Sequence, residues 1–541
     1  MAEPLIDEPE GEGRRLLAAN VSVALGTLLS RLTGLLRVIV FGIVIGQNAL
    51  ADAYDGANNS PNSIYELLIG GVLSATLVPL FTAQLEEKDE EATSAVVTVA
   101  AIAMAAVTAA AVVAAPLIFR LFSLSPDPDV DAAEYRSVGT ALARIFLVQI
   151  FFYGLMALGS SLLQARRRFF APAWAPVLAN VVIIGFLLAV PSLLNGRDPS
   201  LDLADDDAGF RLLLSLGATI GIAVMAVSLI PALARAGVRL RFHPAWRHPA
   251  VRKLLTLSGW TLGYVAANQV ALIVVKNLAR PGSGGQDAYA KAFTFFQLPH
   301  GLLAVSITTT FVPDLARFVA RRDKASFIAR SSLGVRLVGF FTFPASLGLL
   351  VLARPIIGTF LQHGEFSEQA AVTTSRALAG FSIGLVGFSV YLFVLRGFYA
   401  HQDTRTPFVI NLVENALNIV FAVLLVGRYD VLGLGLAFAL AYLLSAAWAL
   451  QVLSYKVPGY GLQPVFASLG RMLLAAVLMA EVVWLVTRVV GGTSGVGAAV
   501  RVVVGGVVGV AAYLGVLALL RSPELEAARR QFSRIGRRLP A

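Results

Sequence analysis

Apolar stretches long enough to cross a bilayer recur along the whole chain, and this recurrence leaves few folds open. About fourteen are present, centred near residues 32, 70, 107, 150, 183, 222, 265, 305, 340, 385, 416, 443, 477 and 509. Inside hydrocarbon every backbone polar group must be satisfied internally, so only helices and closed barrels can span. Barrel strands would read as ~10-residue segments of alternating polarity, and these are not seen. The expectation is an all-α polytopic membrane protein. Composition agrees: 14% of the 541 residues are charged, against ~25% in soluble domains. The chain has no cysteine, which excludes disulfides, thiolate metal sites and a cysteine nucleophile.

Alternate loops differ in charge. One set carries Arg166-Arg167-Arg168, then Arg235, Arg239, Arg241, Arg247, Arg252 and Lys253, then Arg317, Arg321, Arg322 and Lys324. The other set carries "SPDPDVDAAE" and "DPSLDLADDD". Lys and Arg mark the cytoplasmic side, so both termini are expected inside. Residues 1–16 read as a disordered acidic tail without the basic start of a cleavable signal peptide. Residues 522–541 read as a basic tail, either frayed or an interfacial helix on anionic lipid.

Two halves echo each other. "QARRRFFAPAWAPVLANVVIIGFLLAV" and "YAHQDTRTPFVINLVENALNIVFAVLLV" both run from a basic loop through an aromatic to a proline, then an asparagine four residues on: Pro176/Asn180 and Pro407/Asn411. "SATLVP" and "TTTFVP" repeat at a similar offset of about 230 residues. Six spans per half return the chain to its starting side, which implies parallel repeats. The expected organisation is a six-helix lobe over 17–236, a basic linker over 237–250, a second six-helix lobe over 251–457, and two added spans over 458–521. Two such lobes around a central cavity suit alternating access.

Charges within the apolar segments carry the chemistry. "SRLTGLLRV" places Arg31 and Arg37 in the first segment, where each costs roughly 2.5–3.5 kcal/mol near a bilayer centre. Gly26, Ser30 and Gly34 share one face of that helix and permit close packing. Arg37 nearly superposes on Ser30, and Arg31 lies about 120° round from Arg37. An interior arginine needs a carboxylate, a phosphate or water. The candidates are an anionic ligand or structural pairs with Asp52, Asp55 or Glu66. Arg144, Arg336, Arg396 and Arg471 sit near span ends and are expected to snorkel. Lys276 and Lys291 flank an outer loop, and are expected at the mouth of the cavity or solvated at the loop ends. Asn411, Glu414, Asn415 and Asn418 form a polar stripe. Such oxygens suit a coupling Na+ or a proton relay, and helix-packing hydrogen bonds are the alternative. His300 follows Pro299 at an expected helix break. No GxxxxGK[ST] or HExxH motif is present, so no enzyme activity and no firm metal site are expected.

"SRLTGLLRV" followed by "ADAYDGANNSPNSIYELLIGGVLSATLVPLFTAQL" resembles the start of the MurJ/MviN family of lipid II flippases, within the multidrug/oligosaccharidyl-lipid/polysaccharide exporter superfamily. "FQLPHGLLAVSITTTFVPDLARF" and "RGFYAHQDTRTP" resemble it too, and the likeness runs over about residues 18 to 455. It implies export of the undecaprenyl-pyrophosphate-linked peptidoglycan precursor from the inner to the outer leaflet of a bacterial plasma membrane. It carries over Ser30, Arg31, Arg37 and Asp52 as substrate-site residues. This sequence departs from the family at Val38, where the family has an acid. It departs near Tyr65 and Glu66, and near Thr294, where the family has arginines; Lys291 stands a turn from Thr294 as a substitute. The family's sodium-site acid falls near Asn415. Two alternatives stay open: a flippase or drug exporter of the same superfamily with another substrate, and a non-transporting scaffold for cell-wall synthesis proteins.

Overall fold

The computed structural model describes residues 10–67, 73–249, 251 and 259–525, and all regular structure among them is helical. The chain is all-α, as its hydropathy requires. The first helix, Glu10–Ile45, begins earlier than expected, so residues 10–16 are helical and not part of a disordered tail. Its sequence from Gly11 has no proline and is rich in Leu, Val and Ala, so nothing stops the helix before Gly46, whose φ is +82°.

Ten helices of the described residues are long and apolar enough to cross a bilayer. The number is eleven when Glu368–Ile383 and Leu385–Ala400, bent by 48°, count as one span. Arg405–Lys456 runs 52 residues but turns at Asp430, which has φ 47° and ψ −131°. The expected centres near 416 and 443 lie on either side of that turn. The centre near 265 falls in Gly259–Leu278, which is not among the ten. The centre near 70 lies outside the described residues, as does the tail from 526 onward. The described residues therefore do not establish the count of fourteen.

The break expected at Pro299 has a structural counterpart, whereas Pro61, a second candidate for a broken span, does not interrupt its helix. Pro61 is carried inside Ala49–Tyr65, and the helix widens to a π turn just beyond, at Glu66–Leu67. Pro299 ends Gly285–Pro299, and a π-helical turn, His300–Ala304, joins it to Val305–Ala320. A proline withholds one donor and crowds the preceding turn, and in both cases the change of helix type follows on its C-terminal side.

The chain divides into two compact units. The first comprises residues 1–45, 49–124 and 128–266, and the second 46–48, 125–127 and 267–541. The core of the first unit is built around Phe119, Tyr135, Phe146, Leu142 and Phe210, all nearly or fully buried. Its longest interface joins the first helix to Phe170–Leu194. In the second unit Phe293, Phe296, Phe381, Phe388 and Phe438 interlock edge to face, tilted and, for Phe293 on Phe296, stacked, with centroids 5.2–5.7 Å apart. There Glu368–Ile383 meets the second half of Arg405–Lys456 backbone to backbone. A Cβ on Gly380 would lie 2.7 Å from the Leu432 carbonyl oxygen, and one on Gly435 would lie 2.7 Å from that of Ala377. Glycine is what permits this approach. Outward faces carry exposed Leu117, Leu188, Val503, Val507 and Leu519. Such faces are what hydrocarbon, and not water, accommodates.

Candidate functional site

In the first unit the small-residue face of the first helix packs against Phe170–Leu194. A Cβ on Gly26 would meet the Trp174 indole at 2.8 Å, and one on Gly34 would lie 3.6 Å from Asn180 Nδ2. Asn180 donates to the Ser30 carbonyl oxygen at 3.3 Å and to Thr33 Oγ1 at 3.0 Å. Thr33 Oγ1 in turn donates to the Leu29 carbonyl at 2.8 Å. Ser30 thus contributes its backbone oxygen to a helix-helix bridge.

Arg31 and Arg37 are both half-buried, and neither makes a hydrogen bond or ion pair among the described residues. The structural pairing with Asp52, Asp55 or Glu66 is not formed. Asp52 is fully buried and within Coulombic reach of Tyr135, as is Asp55. Asp55 accepts from Asn59 at 3.0 Å, and Glu66 is exposed. Arg37 instead lies within Coulombic reach of the Tyr54 and Tyr153 hydroxyls. A guanidinium with no acid beside it among the described residues leaves its five donors open to an incoming anion.

In the second unit the lysines differ from one reading of the sequence. Lys276 and Lys291 are each only 2% exposed, so neither is a solvated loop end. Lys291 pairs with Asp287 one turn before it and lies 3.5 Å from the Gly46 carbonyl oxygen. Lys276 donates to the Gln286 carbonyl oxygen at 3.3 Å and sits over the Tyr289 ring. The helix Gly285–Pro299 brings its own acid inward beside Lys291, a pairing the hydropathy pattern does not reveal. Arg336 departs from snorkelling as well. It turns to Glu524 at 3.3 Å, a carboxylate 1% exposed that also accepts from Ser522 Oγ at 2.7 Å. Arg144 and Arg396 do lie exposed on their helices.

The polar stripe is brought together by a residue the sequence reading missed. Asn268, on Gly259–Leu278, accepts from Asn411 Nδ2 at 3.0 Å and from Asn415 Nδ2 at 2.9 Å. Glu414 is 1% exposed and hydrogen-bonded by Tyr442, with its Oε2 without a partner among the described residues. Asn411 Oδ1 and Asn418 Oδ1 are likewise buried without partners. One carboxylate and several amide oxygens, partly unsatisfied, are a donor set that suits a hard monovalent cation or a proton. His300 Nδ1 lies 2.9 Å from Ser389 Oγ, beside the π turn.

The repeat has a tertiary echo within each unit. Asn180 ties its helix to the first helix, and Asn411 ties its helix to Gly259–Leu278. The two asparagines, about 230 residues apart, therefore bridge corresponding helices of the two halves.

A family model described as Lipid II flippase MurJ matches residues 42–505. The "Probable lipid II flippase MurJ" of Vibrio cholerae serotype O1 is 28% identical over 536 residues, covering 95% of this chain and 98% of the relative. A solved structure of a lipid II flippase MurJ in an inward closed conformation aligns with TM-score 0.76 at 23% identity, covering 92% of this chain and 98% of that one. An inward-facing multidrug resistance MATE family transporter of the MOP superfamily aligns with TM-score 0.65 at 13% identity, covering 82% and 98%. At these identities the two solved structures speak to the fold.

Proposed function

Because the chain belongs to the lipid II flippase MurJ family, we propose that it moves the undecaprenyl-pyrophosphate-linked peptidoglycan precursor from the inner to the outer leaflet by alternating access. The observation that carries this reading is the pair of arginines, Arg31 and Arg37, inside a membrane-spanning helix and without an acidic partner among the described residues. A pyrophosphate supplies the negative charge that the fold withholds, and a guanidinium binds it through paired donors. Ser30 and Asp52 are proposed as supporting residues, with Lys291 as a further cationic contact once its pairing with Asp287 opens. The lobes proposed to act are residues 17–236 and 251–457, joined by the linker 237–250. The appendix 458–521 is proposed to help accommodate the lipid chain.

The membrane is proposed to be the bacterial inner membrane, with both termini cytoplasmic by the arginine distribution of the loops. Anionic lipids are proposed as surface partners. For coupling we propose a Na+ or a proton at Asn411, Glu414 and Asn415, with Asn411 Oδ1 and Glu414 Oε2 buried without partners among the described residues. When bound there, the cation would neutralise the Glu414 carboxylate and draw Asn268 and the stripe together.

The test is rescue of a bacterium depleted of its own lipid II flippase, with wild type and Arg37→Ala at matched membrane levels. Rescue by wild type and loss of rescue with Arg37→Ala is expected. Equal rescue by both removes Arg37 from the site. Failure of correctly inserted wild type in a matched host removes this substrate.

A further inference from the structure

The linker after the last span of the first unit is held in place rather than slack. Residues 238–245 have no regular structure and run along Glu90–Val113. The Arg241 amide donates to Ser94 Oγ at 3.2 Å, and the His243 amide donates to Thr98 Oγ1 at 3.1 Å. Thr98 Oγ1 donates to the Arg241 carbonyl oxygen at 3.4 Å, and His243 Nε2 lies 3.4 Å from Glu91 Oε1. Ser94 and Thr98 are buried. With the backbone pinned, the side chains are displayed. Phe242 is 78% exposed, Trp246 53% and Leu240 44%. Arg239, Arg241 and Arg247 between them are exposed too.

Large aromatics shown singly to water are unfavourable, and their interleaving with arginine is the composition of a membrane interface. The position agrees. The segment follows directly on the span Ala208–Arg235, so it leaves the bilayer at its surface. Two spans earlier, on the same side, the Arg166-Arg167-Arg168 turn also ends in exposed aromatics, Phe169 and Phe170. No acidic residue occurs between Asp207 and Asp287, so the linker itself offers no competing partner to its arginines.

We propose that residues 239–247 form a fixed strap seated on anionic phospholipid. Phe242 and Trp246 enter the interface, and Arg239, Arg241 and Arg247 meet lipid phosphates. This rests on the membrane-spanning fold and not on the transported substrate, so the rescue experiment and this one fail independently.

The cysteine-free chain allows one spin label to be placed uniquely. Full-length Phe242→Cys is labelled and reconstituted in phosphatidylcholine vesicles with and without phosphatidylglycerol. Collision with oxygen reports the bilayer, and collision with a water-soluble nickel chelate reports solvent. Oxygen is expected to dominate in anionic vesicles. Arg239→Gln, Arg241→Gln and Arg247→Gln together are expected to shift the label toward nickel, about fivefold in seated population for each arginine removed. A Lys88→Cys label, in an exposed turn on the same side, serves as the aqueous reference. Nickel-dominated collision matching that reference in every vesicle overturns the proposal. So does protection that appears only on adding polyglutamate, which would assign the strap to an acidic peptide. If Phe242→Cys fails to assemble, Trp246→Cys gives the same reading.

Discussion

Arg37 and Lys291 are both cations within apolar sequence, yet the fold treats them differently. Arg37 is left with phenols for neighbours, whereas Lys291 is buried against Asp287. Removing one member of a buried pair strands the other, at roughly 3–5 kcal/mol, while replacing both with apolar residues is often neutral. Lys291→Ala is therefore expected to lower thermal stability in detergent strongly, and Lys291→Met with Asp287→Leu to restore it. If the double variant is as unstable as the single one, the pair is not what holds the site. Rescue by the stable double variant would in turn remove Lys291 from substrate contact. Gly26 gives a purely steric prediction. Its Cβ position is 2.8 Å from the Trp174 ring, so Gly26→Leu should cost about 1–3 kcal/mol by overpacking, read as a lowered melting temperature with Gly26→Ser in between. Gly26 was legible from small-residue spacing alone. The burial of Lys291 was not, because its partner is identified only once the helix face is known.

Among the elements, the turn between Leu385–Ala400 and Arg405–Lys456 has a pH signature. Burial by itself would raise the Asp403 carboxyl, but hydrogen bonds from Lys456 at 2.5 Å, from the Thr406 amide and from Thr406 Oγ1 outweigh it and hold the group at about 2. A carboxylate depressed below its unfolded value of about 3.9 contributes stability above that value and loses it as pH falls toward its folded one. The gap in melting temperature between wild type and Asp403→Asn is expected to be full at pH 5 to 7 and to close as pH falls from about 4 toward 2. A gap independent of pH over that range would show that the turn does not rely on the charged carboxylate. Local sequence conveys where such elements break. Pro299 announced a break and a π turn forms there, and the polar stretch Gly427-Arg428-Tyr429-Asp430 separates the spans expected near 416 and 443 at the place where the chain turns.

At the level of the whole molecule the open question is what drives transport. The stripe on Arg405–Lys456 has one carboxylate, Glu414, with a buried oxygen lacking a partner. If it carries the coupling ion, Glu414→Gln should keep its melting temperature within a few degrees but lose stimulation of lipid-precursor flipping by an imposed Na+ or proton gradient in proteoliposomes. Stimulation that survives in the variant would leave the stripe as helix-packing hydrogen bonds.

What the sequence alone determined was the class and the register. Hydrocarbon admits only internally bonded backbone, so runs of apolar residues specify helices and their rough centres without any knowledge of neighbours. The arginine motif, the asparagine repeat and the family likeness are also local strings, and they survive as such. Only the tertiary structure decided which polar groups are satisfied. Asn268 completes the stripe, Glu524 captures Arg336, Asp287 neutralises Lys291, and Ser94 and Thr98 pin the basic linker. Each pairing but Asp287's joins residues remote along the chain, and whether a buried charge is partnered depends on which faces meet, a quantity no single segment contains.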